Sequence, residues 1–129
     1  MKTITLVFGA VYGMLSVILG AFGAHALKKI LSVERLESFE TGVRYQMYAA
    51  FFLLIAGYIL KFDTSSQKWI SILMIAGTML FSFSIYLLSL QDYLGANLKF
   101  LGPITPLGGL FMIVSWLMLI FYFVKAKLQ

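Results

Sequence analysis

The chain has 129 residues, of which 61% are hydrophobic and 12% charged, with a mean hydropathy of +0.95 and no cysteine. A soluble domain carries about a quarter charged residues, so this composition excludes one and points to the bilayer as solvent. Without cysteine there are no disulfides, thiolate metal sites or cysteine nucleophiles, and ten Lys and Arg against five acids, with no basic run longer than Lys28–Lys29, suits anionic headgroups and topology rather than nucleic acid.

Four charge-free windows follow in order: Thr3 to Leu27 with 25 residues, Tyr45 to Leu60 with 16, Trp69 to Gln91 with 23, and Phe100 to Val124 with 25. A spanning helix takes about 20 apolar residues, and lipid forces backbone polar groups to pair internally. Runs such as "AAFFLLIAGYIL" do not alternate, which argues against a membrane β-barrel. The expected fold is therefore all-α: one integral membrane four-helix bundle over 1–129, with antiparallel neighbours and spans near 3–27, 43–61, 69–91 and 103–124. The first span could imitate a signal peptide, but it is twice the usual apolar core; it reads as a retained helix.

The segment "KKILSVERLESFETG" between the first two spans is the only strongly charged one. Ser32 suits an N-cap, Glu34 the first turn, and Val33, Leu36, Phe39 and Val43 recur at helical spacing. This predicts an amphipathic lead-in over 32–42 along the interface, bent at Gly42 into the second span. The later connections, "KFDTSSQK" and "QDYLGANLKFLGP", hold turn-forming residues.

Lipid gives helices no hydrophobic reason to associate, so small residues mark contacts. Gly9, Gly13, Ser16, Gly20 and Gly23 form one stripe down the first helix, a packing face on which a second copy could also associate. Ser71, Thr78, Ser82 and Ser89 form a hydroxyl stripe on the third. It reads as packing, with a hydroxyl-lined conduit as the sharper alternative. Gly102, Pro103, Pro106, Gly108 and Gly109 predict a kinked or loosened, tightly packed start to the fourth helix.

The short second window draws attention to Arg44, in "RYQMY", with Tyr45, Gln46 and Tyr48 beside it and Glu40 one turn earlier. His25, the only histidine, ends the first helix at the same membrane face. Up-down topology brings Ser89, Gln91 and Asp92 there, together with Thr105 in "GPITPLGG". The expectation is a polar cluster of His25, Glu40, Arg44, Tyr45, Gln46, Tyr48, Ser89, Asp92 and Thr105. A lone histidine more often caps a helix than ligates or catalyses; no metal-ligand spacing exists, and no catalytic residue or cofactor is assigned. The arginine cluster could take an anionic headgroup or small anion, against the simpler reading of a structural ion pair with Glu40 or Glu37.

Four stretches in order, "GAFGAHAL", "TGVRYQMYAA", "FSFSIYLLSL" and "GPITPLGG", resemble the family called domain of unknown function 423, small bacterial membrane proteins with eukaryotic relatives. The resemblance spans nearly the whole chain. Matching positions are Gly20, Gly23, His25, Arg44, Tyr45, Gln46, Ser82, Tyr86, Pro103, Thr105, Pro106 and Gly109. Relatives often carry a histidine after the "YQMY" segment, where this chain has Ala49 or Ala50, which speaks against a histidine pair across the first two helices. The resemblance implies a four-helix membrane protein and brings no established activity, substrate or cofactor.

The expected function is a non-catalytic bundle binding lipid or protein. A small transporter or channel for an anion or small solute is the alternative, although the four windows hold no acid; an enzyme acting on lipid, with His25 and Arg44, comes third. The expected location is the cell membrane. Five basic residues lie on each face; discounting Arg44 as membrane-embedded turns the tie toward cytoplasmic termini.

Overall fold

A computed structural model describes residues 1–128. Four long helices fill it: α1 (Lys2–Ala24), α2 (Val33–Ile59), α3 (Ser65–Leu94) and α4 (Ile104–Leu128), with single 3-10 turns at Leu27–Lys29 and Lys99–Leu101. No strand occurs among the described residues. With their flanking turns, α1, α3 and α4 are long and apolar enough to cross a membrane. At 27 residues α2 is about 40 Å long, ample for a bilayer core of about 30 Å, but its first turns are charged.

Each boundary has a local cause. Ser32 caps α2, its Oγ accepting from the Arg35 amide at 3.2 Å, with Glu34 in the first turn. Leu60 turns extended and Phe62 enters the left-handed region at φ 60°, ending α2. Thr64 then caps α3 by accepting from the Gln67 amide at 3.3 Å. At the other end Gly95 takes φ 66°, and the Gly95 and Ala96 amides return to the Asp92 and Gln91 carbonyls at 3.3 and 3.1 Å. That is a Schellman closure, which favours glycine at this position.

The helices run antiparallel to their neighbours. The α1–α2 and α3–α4 seams are the most extensive; α2 also packs on α3, α1 grazes α3, and α1 does not meet α4. The first-helix stripe is the α1–α2 seam: a Cβ on Gly23 would lie 3.5 Å from Phe39, on Gly20 3.6 Å from Val43, and on Gly13 3.7 Å from Ala50. Gly9 is tighter, 3.0 Å from Leu54. Within the chain the stripe packs against α2, the packing role expected of it.

The lead-in continues without a break into the second span as one helix, α2, and from Phe39 onward it flanks α1. Helical hydrogen bonding runs through Gly42. A Cβ there would sit 2.8 Å from the Tyr86 ring, so the glycine admits that ring between α2 and α3. The start of α4 is not loosened: it is helical from Ile104, and Pro106 falls in the first turn, where a missing N–H costs nothing.

Polarity is distributed as lipid solvation requires. Thr5, Gln46, Ser71, Thr78, Ser82 and Ser115 are fully buried, whereas Val17, Phe22, Ile113, Ile120 and Phe121 are exposed. Small hydroxyls let backbones approach, and large apolar side chains face outward.

Candidate functional site

Two polar regions stand out. The first lies inside the bundle. Gln46 Nε2 donates to the Tyr12 carbonyl at 3.0 Å, and Gln46 Oε1 accepts from the Tyr86 hydroxyl at 2.7 Å. The Tyr12 hydroxyl donates to the Ile75 carbonyl at 2.7 Å, and Ser16 Oγ to the Tyr12 carbonyl at 2.7 Å. Ser82 Oγ, within a π-helical turn at Met79–Phe83, donates to the Gly42 carbonyl at 2.8 Å. The hydroxyl stripe is similarly occupied: Ser71 meets Thr5 at 2.5 Å and Thr78 bonds back to Met74 at 2.7 Å. These groups tie three helices together and, Ser89 of the stripe excepted, are engaged with one another or with backbone carbonyls, which favours packing over a conduit.

The second region is a recess of about 370 Å³ where the start of α2, the end of α3 and the start of α4 meet. Arg35, Ser38, Ser89 and Thr105 supply its polar lining, and Ile85, Leu88 and Pro106 its apolar lining. Arg35 is half-buried. Its Nε pairs with Asp92 Oδ2 at 3.2 Å and its Nη1 donates to the Leu88 carbonyl at 3.3 Å, which occupies two of five guanidinium N–H groups. Thr105 and Ser84 share a hydrogen bond at 2.5 Å. Ser89 is 1% exposed, and its Oγ has no hydrogen-bond partner. A buried hydroxyl left unpaired costs about 1–3 kcal/mol. The first turn of α4 adds the positive end of a helix dipole.

Of the expected cluster, Ser89, Asp92 and Thr105 belong to this recess or its mouth. The others do not. His25 is the exposed C-cap of α1; its backbone amide donates to the Ala21 and Phe22 carbonyls at 3.2 and 3.3 Å. Glu40 and Arg44 are exposed, and among the described residues the one ion pair is Arg35–Asp92, not Glu40–Arg44. No hydrogen bond joins His25 to Arg44 among them. Tyr45 and Tyr48 are half-exposed and meet edge to face, with Tyr45 also against Phe81. Gln46 belongs to the interior network. Of the expected packing residues on α3 and α4, Ser82 bonds Gly42, and Gly109 lies in ordinary contact with Phe81.

The cluster shifted because helix register, not sequence proximity, chooses partners. With Phe39 opposite Gly23 and Val43 opposite Gly20, Arg44 falls about 8 Å short of the end of α1, on the outer face. Arg35, two and a half turns earlier, meets the end of α3. A partial signal for it existed: up-down topology puts Asp92, at the close of α3, on the same face as Arg35 at the start of α2. No three His, Asp or Glu side chains gather to hold a metal among the described residues.

These features define a small polytopic helical membrane protein. The chain belongs to the family described as protein of unknown function (DUF423), whose model matches residues 19–109. It is 41% identical over 115 residues to a UPF0382 membrane protein of Staphylococcus haemolyticus, covering 89% of this chain and 90% of that one. It is 38% identical over 125 residues to the UPF0382 membrane protein YwdK of Bacillus subtilis, covering 93% and 95%. No solved structure matches the chain.

Proposed function

We propose that this membrane protein is a non-catalytic binder of an anionic group, phosphate or carboxylate, held in the recess between Arg35, Ser89 and the first turn of α4. The observation that carries this reading is the unpartnered Ser89 hydroxyl, buried in a recess edged by a guanidinium with N–H groups to spare. A forked donor set suits a planar or tetrahedral anion. The small-solute carrier remains the weaker reading, since the interior hydroxyls are engaged with protein partners.

The test is thermal unfolding with and without inorganic phosphate, and in nanodiscs with and without phosphatidylglycerol. Phosphate or the anionic lipid should raise the midpoint of the wild type, and Arg35→Gln should lose most of that rise. Arg35→Gln itself should fold, because an exposed ion pair contributes only about 0–1 kcal/mol. Ser89→Ala should leave the unliganded protein as stable or more so, by relieving an unpaired hydroxyl, yet weaken the stabilisation by anion. Equal stabilisation of the wild type and both variants would refute the site.

A further inference from the structure

The opposite end of the bundle holds a second cleft, of about 390 Å³, between the end of α2, the start of α3 and the end of α4. Two cations line it, Lys61 from the α2–α3 connection and Lys125 from α4, with Gln67, Asp63, Phe121 and Tyr122. We propose that this cleft holds the phosphate of an anionic phospholipid of the leaflet opposite to the Arg35 recess.

Three observations converge on that occupant. The charge is suited to it: of the two lysines and one carboxylate, the Asp63 carboxylate is engaged by Gln67 Nε2 at 2.9 Å, while neither lysine has an ion-pair partner among the described residues. The cleft is built rather than incidental. Gln67 Oε1 also accepts the Phe62 amide at 2.7 Å, holding a non-glycine residue at φ 60° with its ring buried, and so fixing the turn that carries Lys61. The level is that of headgroups. Exposed Tyr58 and Trp69 lie within a turn or so of the helix ends that form the cleft, and Tyr122 is in its wall. Tyrosine and tryptophan collect where the hydrocarbon gives way to headgroups. Phe121 is exposed beside the cleft, and the α4 surface leading away from it, with Leu117 and Ile113, offers acyl chains an apolar track.

The experiment is native mass spectrometry of protein released from nanodiscs of phosphatidylcholine alone or doped with phosphatidylglycerol. It is run in an Arg35→Gln background, so that the result is separate from the fate of the first recess. One phosphatidylglycerol should stay bound, and Lys61→Ala with Lys125→Ala should weaken it roughly thirtyfold, a lysine near a headgroup contributing a factor of about five. Both lysines are exposed, so melting in phosphatidylcholine should be unchanged and certify the fold. The same occupancy after the double substitution, or equal retention of phosphatidylcholine, overturns the proposal. Displacement of the lipid by millimolar inorganic phosphate would do so too, reassigning the cleft to a free anion.

Discussion

Gln46 shows how one side chain can organise a lipid-embedded core. Its amide is fully buried among three helices, accepting from Tyr86 and donating to the Tyr12 carbonyl. In an apolar interior neither bond has water to replace it, so removing one partner strands the other. Gln46→Leu should therefore lower unfolding stability in detergent by about 1–2 kcal/mol, and Tyr86→Phe by a similar amount. Combined, the two should cost less than their sum, because the second substitution removes a group already left unpaired. Additive losses in this cycle would mean that the bond contributes nothing. In sequence, Gln46 sits beside Arg44 in "RYQMY" and reads as part of a charged face; successive helical residues point some 100° apart, and only burial separates the one facing inward from the one facing outward.

At the scale of helices, the α3–α4 seam depends on two glycines. A Cβ on Gly108 would be 2.7 Å from the Gly77 carbonyl oxygen and would overlap the Phe81 amide; one on Gly77 would be 2.8 Å from the Gly108 carbonyl oxygen. Backbone cannot move aside as a side chain can, so Gly108→Ala must push the helices apart. A loss of about 2–3 kcal/mol, the upper range for overpacking, is expected. Gly109→Ala is the control, its Cβ meeting Phe81 at 3.6 Å, and should be neutral or slightly stabilising through helix propensity. Equal effects of the two in thermal melts would contradict the close crossing. The four rods themselves were legible in the sequence, because charge-free windows and turn residues act locally. The small-residue stripe on α1 was legible as a contact face as well. Its partner was not: spacing shows that a face packs without showing whether α2 or another copy meets it. The short second window misled for a related reason. A charge-free count ends at Arg44, whereas α2 keeps Glu40 and Arg44 on its outer side while Phe39, Gly42 and Val43 continue the packed face.

For the whole molecule, orientation follows from which cations lie outside the hydrocarbon. The face with both termini carries Lys2, Lys61, Lys68, Lys125 and Lys127, and the other carries Lys28, Lys29, Arg35, Arg44 and Lys99. The α1–α2 register sets Arg44 about five residues, or roughly 8 Å, short of the end of α1, a depth from which its stem must reach outward to place the guanidinium among headgroups. If Arg44 lies within the bilayer it drops out of the positive-inside comparison, leaving five residues against four. Cytoplasmic termini are the expected result, with the Lys61–Lys125 cleft in the cytoplasmic leaflet and the Arg35 recess in the outer one. The chain has no cysteine, so a single introduced thiol reports its own side unambiguously. Asn97, in the α3–α4 connection, and Ser66, in the first turn of α3, are exposed at opposite ends of the bundle. In intact cells a membrane-impermeant maleimide should label Asn97→Cys, and label Ser66→Cys only after permeabilisation. The reverse pattern would invert both leaflet assignments, and labelling of both from outside would break the four-pass topology on which the two sites depend.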